Sequence, residues 1–182
     1  MRAHPKRYNF KQASIPDIMI NKIKGNVFQF YFNEFGSCVY LIILKNQKIL
    51  IDTSSDLTQN ELINDLNELK YTPQEINIIL LTHKHFDHTG NIHLFKNAKV
   101  YDETNIDEIK KKIPEIKIIK TPGHSEDSLC FLYNDILFSG DTIFHEGGRG
   151  RTDFPGGSEK EIFKSIKKLS KIKYEILCPG HI

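Results

Sequence analysis

The sequence has 182 residues, 39% hydrophobic and 26% charged, which is the composition of one globular domain with enough volume for a core. A formal net charge of +2 gives no overall attraction to nucleic acid or to a membrane surface. No apolar run approaches the roughly eighteen residues that a membrane span needs.

Met1 to Gln12 is basic but has no apolar segment behind it, so a secretory leader is not expected. Residues 1–17 read as irregular, because His4-Pro5 and Ile15-Pro16 interrupt regular structure. Val27 to Phe32 is expected to form a strand. Cys38 to Leu44 and Ile49 to Ile51 form a hairpin pattern that ends at Asp52-Thr53. Thr58 and Glu61 make a capping-box pattern for a helix to about Lys70, with Leu62, Ile63, Leu66 and Leu69 as its apolar stripe. The run Ile76 to Leu81 reads as a buried strand. A short helix is expected from Gly90 to Phe95, a strand near Lys99 to Tyr101, and a helical turn around Asp107 to Lys112.

The strand Ile116 to Lys120 leads into Thr121-Pro122-Gly123-His124. A second hairpin, Leu129 to Tyr133 and Ile136 to Ser139, ends in Gly140-Asp141-Thr142. After a glycine-rich loop, Ser158 and Glu161 repeat the capping-box pattern. The helix they open runs to about Lys171, with Ile162, Phe163, Ile166 and Leu169 on one face. The last expected strand, Tyr174 to Cys178, precedes Pro179-Gly180-His181. Cys38, Cys130 and Cys178 are odd in number, far apart and set in apolar runs. They read as free buried thiols in a reducing compartment, hence a cytoplasmic protein.

The order hairpin, Asp-Thr, helix, strand, histidine occurs twice: Asp52-Thr53 parallels Asp141-Thr142, and His83 parallels His181. This weak repeat suggests an α/β fold of two similar halves, packed sheet to sheet with helices outside. An apolar strand ends in a potential ligand four times, at His83, His124, Asp141 and His181. If those ends share one edge, the ligands converge there.

The densest chemistry is Thr82-His83-Lys84-His85-Phe86-Asp87-His88. Neutral imidazole is the commonest side-chain metal ligand. At the end of an extended chain, His83 and His85 point the same way, whereas Asp87 and His88 follow a turn that Gly90 would loosen. Two adjacent ions suit this set better than one. His83, His85 and His124 would hold the first. Asp87, His88 and His181 would hold the second, and Asp141 has two oxygens with which to bridge them. Two ions about 3.5–4 Å apart can share a hydroxide that attacks a polarised carbonyl.

In this order, His83-x-His85-x-Asp87-His88, His124, Asp141 and His181 resemble the metallo-β-lactamase superfamily over nearly the whole chain. The resemblance implies a single domain, residues 1–182, folded as a four-layer αβ/βα sandwich, with Asp52 bracing the metal loops without binding metal. Gly150-Arg151-Thr152-Asp153-Phe154-Pro155-Gly156-Gly157 is similar to the glyoxalase II-like members, which act on thioesters such as hydroxyacylglutathione. A bridging hydroxide, a thiolate leaving group, and Asp87 and Asp141 as catalytic carboxylates are then expected. Full-length glyoxalase II carries a C-terminal helical region that grips glutathione; no counterpart follows His181, so the thiol is left open.

The expected cofactors are two divalent ions, zinc first, with iron or manganese as alternatives. The expected partner is a small thioester or ester, with neither nucleic acid nor membrane. The competing functions are a mononuclear-iron persulfide dioxygenase, a lactonase, and a metal-stabilised binding module without catalysis. Arg149 and Arg151 either recognise a substrate carboxylate or brace their own loop, for example through Asp153. Tyr31, Phe32 and Phe35 read as core or pocket wall, His93 and His145 as ordinary histidines, and the Lys164, Lys167, Lys168 and Lys171 edge as a solvated face.

Overall fold

A computed structural model describes residues 20–182, so the expectations for residues 1–17 lie outside the described residues. Runs rich in isoleucine, valine, leucine and phenylalanine build two sheets. The first half of the chain contributes β1 (Ile20–Lys24), β2 (Val27–Phe30), β3 (Val39–Ile43), β4 (Lys48–Ile51), α1 (Gln59–Glu68), β5 (Ile78–Leu80), the short α2 (Phe86–Thr89) and β6 (Lys99–Tyr101). Then come α3 (Ile106–Lys112), β7 (Ile116–Lys120), β8 (Leu129–Tyr133), β9 (Ile136–Gly140), α4 (Glu159–Leu169) and β10 (Ile176–Pro179). The sheets run in the orders β1-β2-β3-β4-β5-β6 and β10-β9-β8-β7.

The repeat is one of topology. In the first half the antiparallel pair β3-β4 is followed by α1 and by β5, parallel to β4. In the second, β8-β9 is followed by α4 and by β10, parallel to β9. Parallel neighbours require a crossover, and α1 and α4 supply it.

Both faces of the central strands are buried, which is why they read as continuous apolar runs. Tyr40 and Ile42 of β3 point into the space between the sheets, where Ile51 and Leu80 meet Phe131, Phe138 and Cys178. Their neighbours Val39 and Leu41 point the other way, onto Leu62 and Leu66 of α1. On the far side, Leu169 of α4 covers Ile119, Cys130 and Leu137. Helix, sheet, sheet and helix thus make four layers, as expected for an α/β sandwich. The three cysteines are free and buried. Among the described residues, no helix is long and apolar enough to cross a membrane.

Several local expectations are corrected. β1 went unforeseen, because Ile-Asn-Lys-Ile-Lys is a polar edge strand with little apolar signal. The Thr58–Glu61 capping box does not form. Thr58 is buried and donates to the Ser55 carbonyl at 2.9 Å, while Glu61 accepts from the Asn33 and Glu34 amides at 2.9 and 3.2 Å. A box forms instead between Thr72 and Glu75. Ser158 does cap α4, accepting from the Glu161 amide at 3.3 Å, but Glu161 itself pairs with Lys164. Phe163 is exposed beneath Arg149 rather than part of the apolar face.

The short helix starts at Phe86, inside the histidine motif, and only the turn Ile92–Leu94 remains of the expected Gly90–Phe95 helix. Gly90 does not loosen the turn. It has ordinary helical dihedrals and packs so closely that a Cβ would lie 2.4 Å from the Asp56 amide nitrogen.

Candidate metal centre

The ends of both sheets deliver the polar side chains to one edge of the sandwich. Asp52 follows β4, Asp141 follows β9, and His181 comes two residues after β10. His83 lies on the segment from β5 to α2, and His124 on the loop from β7 to β8. His85 caps α2, and Asp87 and His88 sit within it.

Three sets of donor atoms lie within 4.8 Å of one another: His83, His85 and His124; His83, His88 and Asp141; Asp87, His88 and His181. His85 Nδ1 is 3.1 Å from His83 Nε2 and 2.9 Å from His124 Nε2. His181 Nε2 is 3.4 Å from Asp87 Oδ2. Asp141 Oδ2 stands 3.6 Å from His124 Nε2 and 3.5 Å from His181 Nε2, so it reaches the first and third sets.

Hydrogen bonding behind the cluster fixes how the rings face it. His124 Nδ1 lies 2.7 Å from the Arg151 carbonyl, which can only accept, so Nδ1 carries the proton and Nε2 presents a lone pair. His88 Nδ1 donates to Asp52 Oδ2 at 2.8 Å. Asp52, buried and with a positive φ of 60°, also accepts from the Thr82 amide at 2.8 Å and the Thr82 hydroxyl at 2.7 Å. Its carboxylate therefore holds the loop and His88 from outside the cluster.

Charge inside the cluster is tightly coupled. Burial lowers the affinity of His88 for a proton, but the Asp52 and Asp141 carboxylates outweigh it and raise its pKa to about 10. The same balance raises His181 to about 9, through Asp141 and Asp87. Asp141 is buried, which alone would raise its pKa; His181 and His88 hold it well below the usual carboxylate range. Burial, with repulsion from His88, pushes His83 well below the ordinary imidazole value.

The donors fit divalent cations on a structural observation. His88 Nε2 and Asp141 Oδ1 are both buried, 3.3 Å apart, and neither has an aligned hydrogen-bond partner. Buried orphans of this kind need an explanation, and imidazole nitrogens with carboxylate oxygens suit zinc, iron or manganese. Gly180 leaves them room: a Cβ there would sit 2.2 Å from Asp141 Oδ1 and 2.8 Å from His88 Cε1.

All seven ligand candidates, His83, His85, Asp87, His88, His124, Asp141 and His181, come together here. Arg149 and Arg151 do not join them. Arg149 pairs with Glu159 at 3.1 Å, and Arg151 grips Asp153 through two bonds of 2.9 and 2.6 Å. His93 bonds the Gly90 carbonyl, and His145 lies beside His181 at a separate opening. Tyr31 and Phe32 pack against the cores, whereas Phe35 lines the mouth of the site with Phe86 and Phe154. The last two escaped sequence reasoning, although each lies inside a motif singled out for other residues.

Residues 33–115 and 100–181 match the family model of the metallo-beta-lactamase superfamily. The chain belongs to that superfamily. A probable metallo-hydrolase of Methanocaldococcus jannaschii is 34% identical to it over 143 residues, 73% of this chain and 70% of the relative. A hydroxyacylglutathione hydrolase of Francisella tularensis subsp. novicida is 30% identical over 84% of this chain, which spans 65% of that enzyme's length. A metallo-beta-lactamase family protein of Thermus thermophilus shares the fold, with a TM-score of 0.73 at 17% identity over 86% of this chain and 73% of its own. This metallo-beta-lactamase superfamily member is thus a metal-dependent hydrolase with a histidine and aspartate site for divalent ions.

Proposed function

We propose that the protein hydrolyses small thioesters at a dinuclear centre, with zinc as its metal and iron or manganese as alternatives. His83, His85 and His124 would hold one ion and Asp87, His88 and His181 the other, with Asp141 available to both sets. The observation that carries this reading is the position of Asp141 Oδ2, 3.6 Å from His124 and 3.5 Å from His181. A carboxylate shared by two ligand triads favours two ions over mononuclear iron chemistry. When bound, such ions would lower the pKa of a water towards neutrality and polarise the carbonyl oxygen.

The chain's own residues orient and protect that chemistry. The Arg151 carbonyl and Asp52 fix the ring faces of His124 and His88. Asp87 borders both the cluster and the cleft above it, so its carboxylate faces the substrate side of the site. A thiol of pKa about 8.5 departs readily as thiolate, so no strong general acid is required. The hydroxyacylglutathione hydrolase relative supports the thioester class. The buried free thiols support a reducing, cytoplasmic setting.

The test is thiol release from S-lactoylglutathione and from S-acetyl-N-acetylcysteamine by zinc- or iron-reconstituted protein. Turnover that is chelator-sensitive and lost in folded His85→Ala and Asp141→Ala variants is the expected result. Intact thioesters with a protein carrying two ions per chain would overturn the reading.

A further inference from the structure

The mouth of the site differs from its floor. Three separate segments each place a phenylalanine there: Phe35 between β2 and β3, Phe86 at the start of α2, and Phe154 in the glycine-rich loop. All three are exposed, at 58%, 66% and 43% of their surface. The Phe35 and Phe86 rings stack with centroids 5.9 Å apart, and Phe154 meets the His85 ring edge-on at 6.0 Å. With Pro155 they wall a cavity of about 450 Å³, whose floor is formed by His85, Asp87, His124 and Asp141. Exposed aromatic rings gathered over a polar reaction centre mark a surface that an apolar ligand covers.

A second cavity, of about 570 Å³, shares His85 and Pro155 with the first, so the two chambers meet at a ligand of the cluster. Glu103, Glu126 and Asp127 border it. Lys84 on its wall is held by Asp102 at 3.2 Å and Glu103 at 2.9 Å. The neighbouring guanidinium is engaged too: Arg151 grips Asp153 while lying 4.5 Å over the Phe154 ring. An anionic arm entering this chamber would meet carboxylates, and the cations beside it already have partners.

Building on the thioester reading above, we infer that the substrate carries an aromatic or branched apolar arm and no carboxylate. The apolar arm lies among Phe35, Phe86 and Phe154, and the uncharged arm on the other side of the scissile bond lies in the second chamber. Glutathione, with two carboxylates, is not the preferred thiol.

The test uses the metal-loaded full chain and four thioesters: acetyl and phenylacetyl esters of N-acetylcysteamine, the phenylacetyl ester of thioglycolate, and the acetyl ester of phenylmethanethiol. A well-formed apolar pocket discriminates by about tenfold or more. One or both uncharged phenyl-bearing substrates should exceed acetyl-N-acetylcysteamine in kcat/KM by at least that factor. The thioglycolate ester should fall below its uncharged counterpart by a similar factor. In Phe86→Ala and Phe154→Ala the phenyl preference should shrink towards unity, and in a Glu126→Gln, Asp127→Asn variant the charge discrimination should do so.

Calorimetric binding of the four analogues with methylene in place of sulfur gives a readout independent of turnover, and the same ranking is expected. Turnover of all four at equal rates, or preference for the thioglycolate ester, would overturn the inference and leave the hydrolase reading standing. If no thioester is cleaved, the thioester reading fails, and the binding ranking alone decides the inference: equal affinities overturn it, and the expected order supports it.

Discussion

Asp52 Oδ2 and His88 Nδ1 lie 2.8 Å apart, both buried, and join the end of β4 to α2 directly behind the metal cluster. The same carboxylate accepts two bonds from Thr82, so all its partners are donors. In Asp52→Asn the amide must turn an N–H towards one of them. Loss of such a support behind a ligand weakens metal binding about 10–100-fold. Competition with a chromogenic chelator measures this; unchanged affinity would show that the Asp52–His88 contact is dispensable.

Stripping the metal should expose a pH dependence of stability. In the metal-free protein His88 and His181 have pKa values raised from 6.5 to about 10 and about 9. A raised folded-state pKa stabilises the fold fully below the unfolded value, and that stability is lost as pH rises through the folded value. The melting temperature of chelator-treated protein should therefore fall between pH 6.5 and about 10, while metal-loaded protein stays flatter. Metal added at pH 7 must displace these protons, so uptake in weak buffer should acidify the solution. A flat profile for the stripped protein would contradict the assignment.

Gly180→Ala should damage the site without unfolding the chain. The added methyl would meet Asp141 Oδ1 at 2.2 Å and His88 Cε1 at 2.8 Å, forcing apart two groups proposed to bind metal. Metal content should drop below that of the parent protein, read by elemental analysis alongside an unchanged far-ultraviolet spectrum. Full metal loading in this variant would show that the edge can relax.

Phe131 and Phe86 separate packing from function. Phe131 is fully buried between the sheets, so Phe131→Ala should cost about 3–5 kcal/mol in urea unfolding. Phe86 is 66% exposed, and Phe86→Ala should stay within about 0.5 kcal/mol of the parent. A large loss in the second variant would mean that Phe86 supports the metal loop rather than a substrate.

The strands, and the seven polar side chains that gather near their ends, were legible because their signals are local. An apolar run that stops at a histidine or an aspartate names both the strand and its end. The Thr58–Glu61 pattern misled because tertiary contacts took both members: Ser55 engages the hydroxyl, and the Asn33–Glu34 backbone engages the carboxylate. Gly90 reads as a loose hinge in the sequence, but its reason lies far upstream, at the Asp56 amide it touches. Phe86 and Phe154 were unreadable as a pair, since only the fold brings α2 and the glycine-rich loop together. The arginines were ambiguous until Asp153 and Glu159 were seen to hold them.

The cluster draws on both sheets. His83, His85, Asp87 and His88 come from the first, and His124, Asp141 and His181 from the second. Among the described residues, backbone bonds such as Cys38 to the Gly180 carbonyl and Leu129 to the Thr82 carbonyl, each 2.7 Å, already stitch that seam nearby. An ion held by both groups would clasp the sandwich together as well as serve the reaction. Removing such an ion is expected to open this edge first, which faster proteolysis of the chelator-treated protein would reveal.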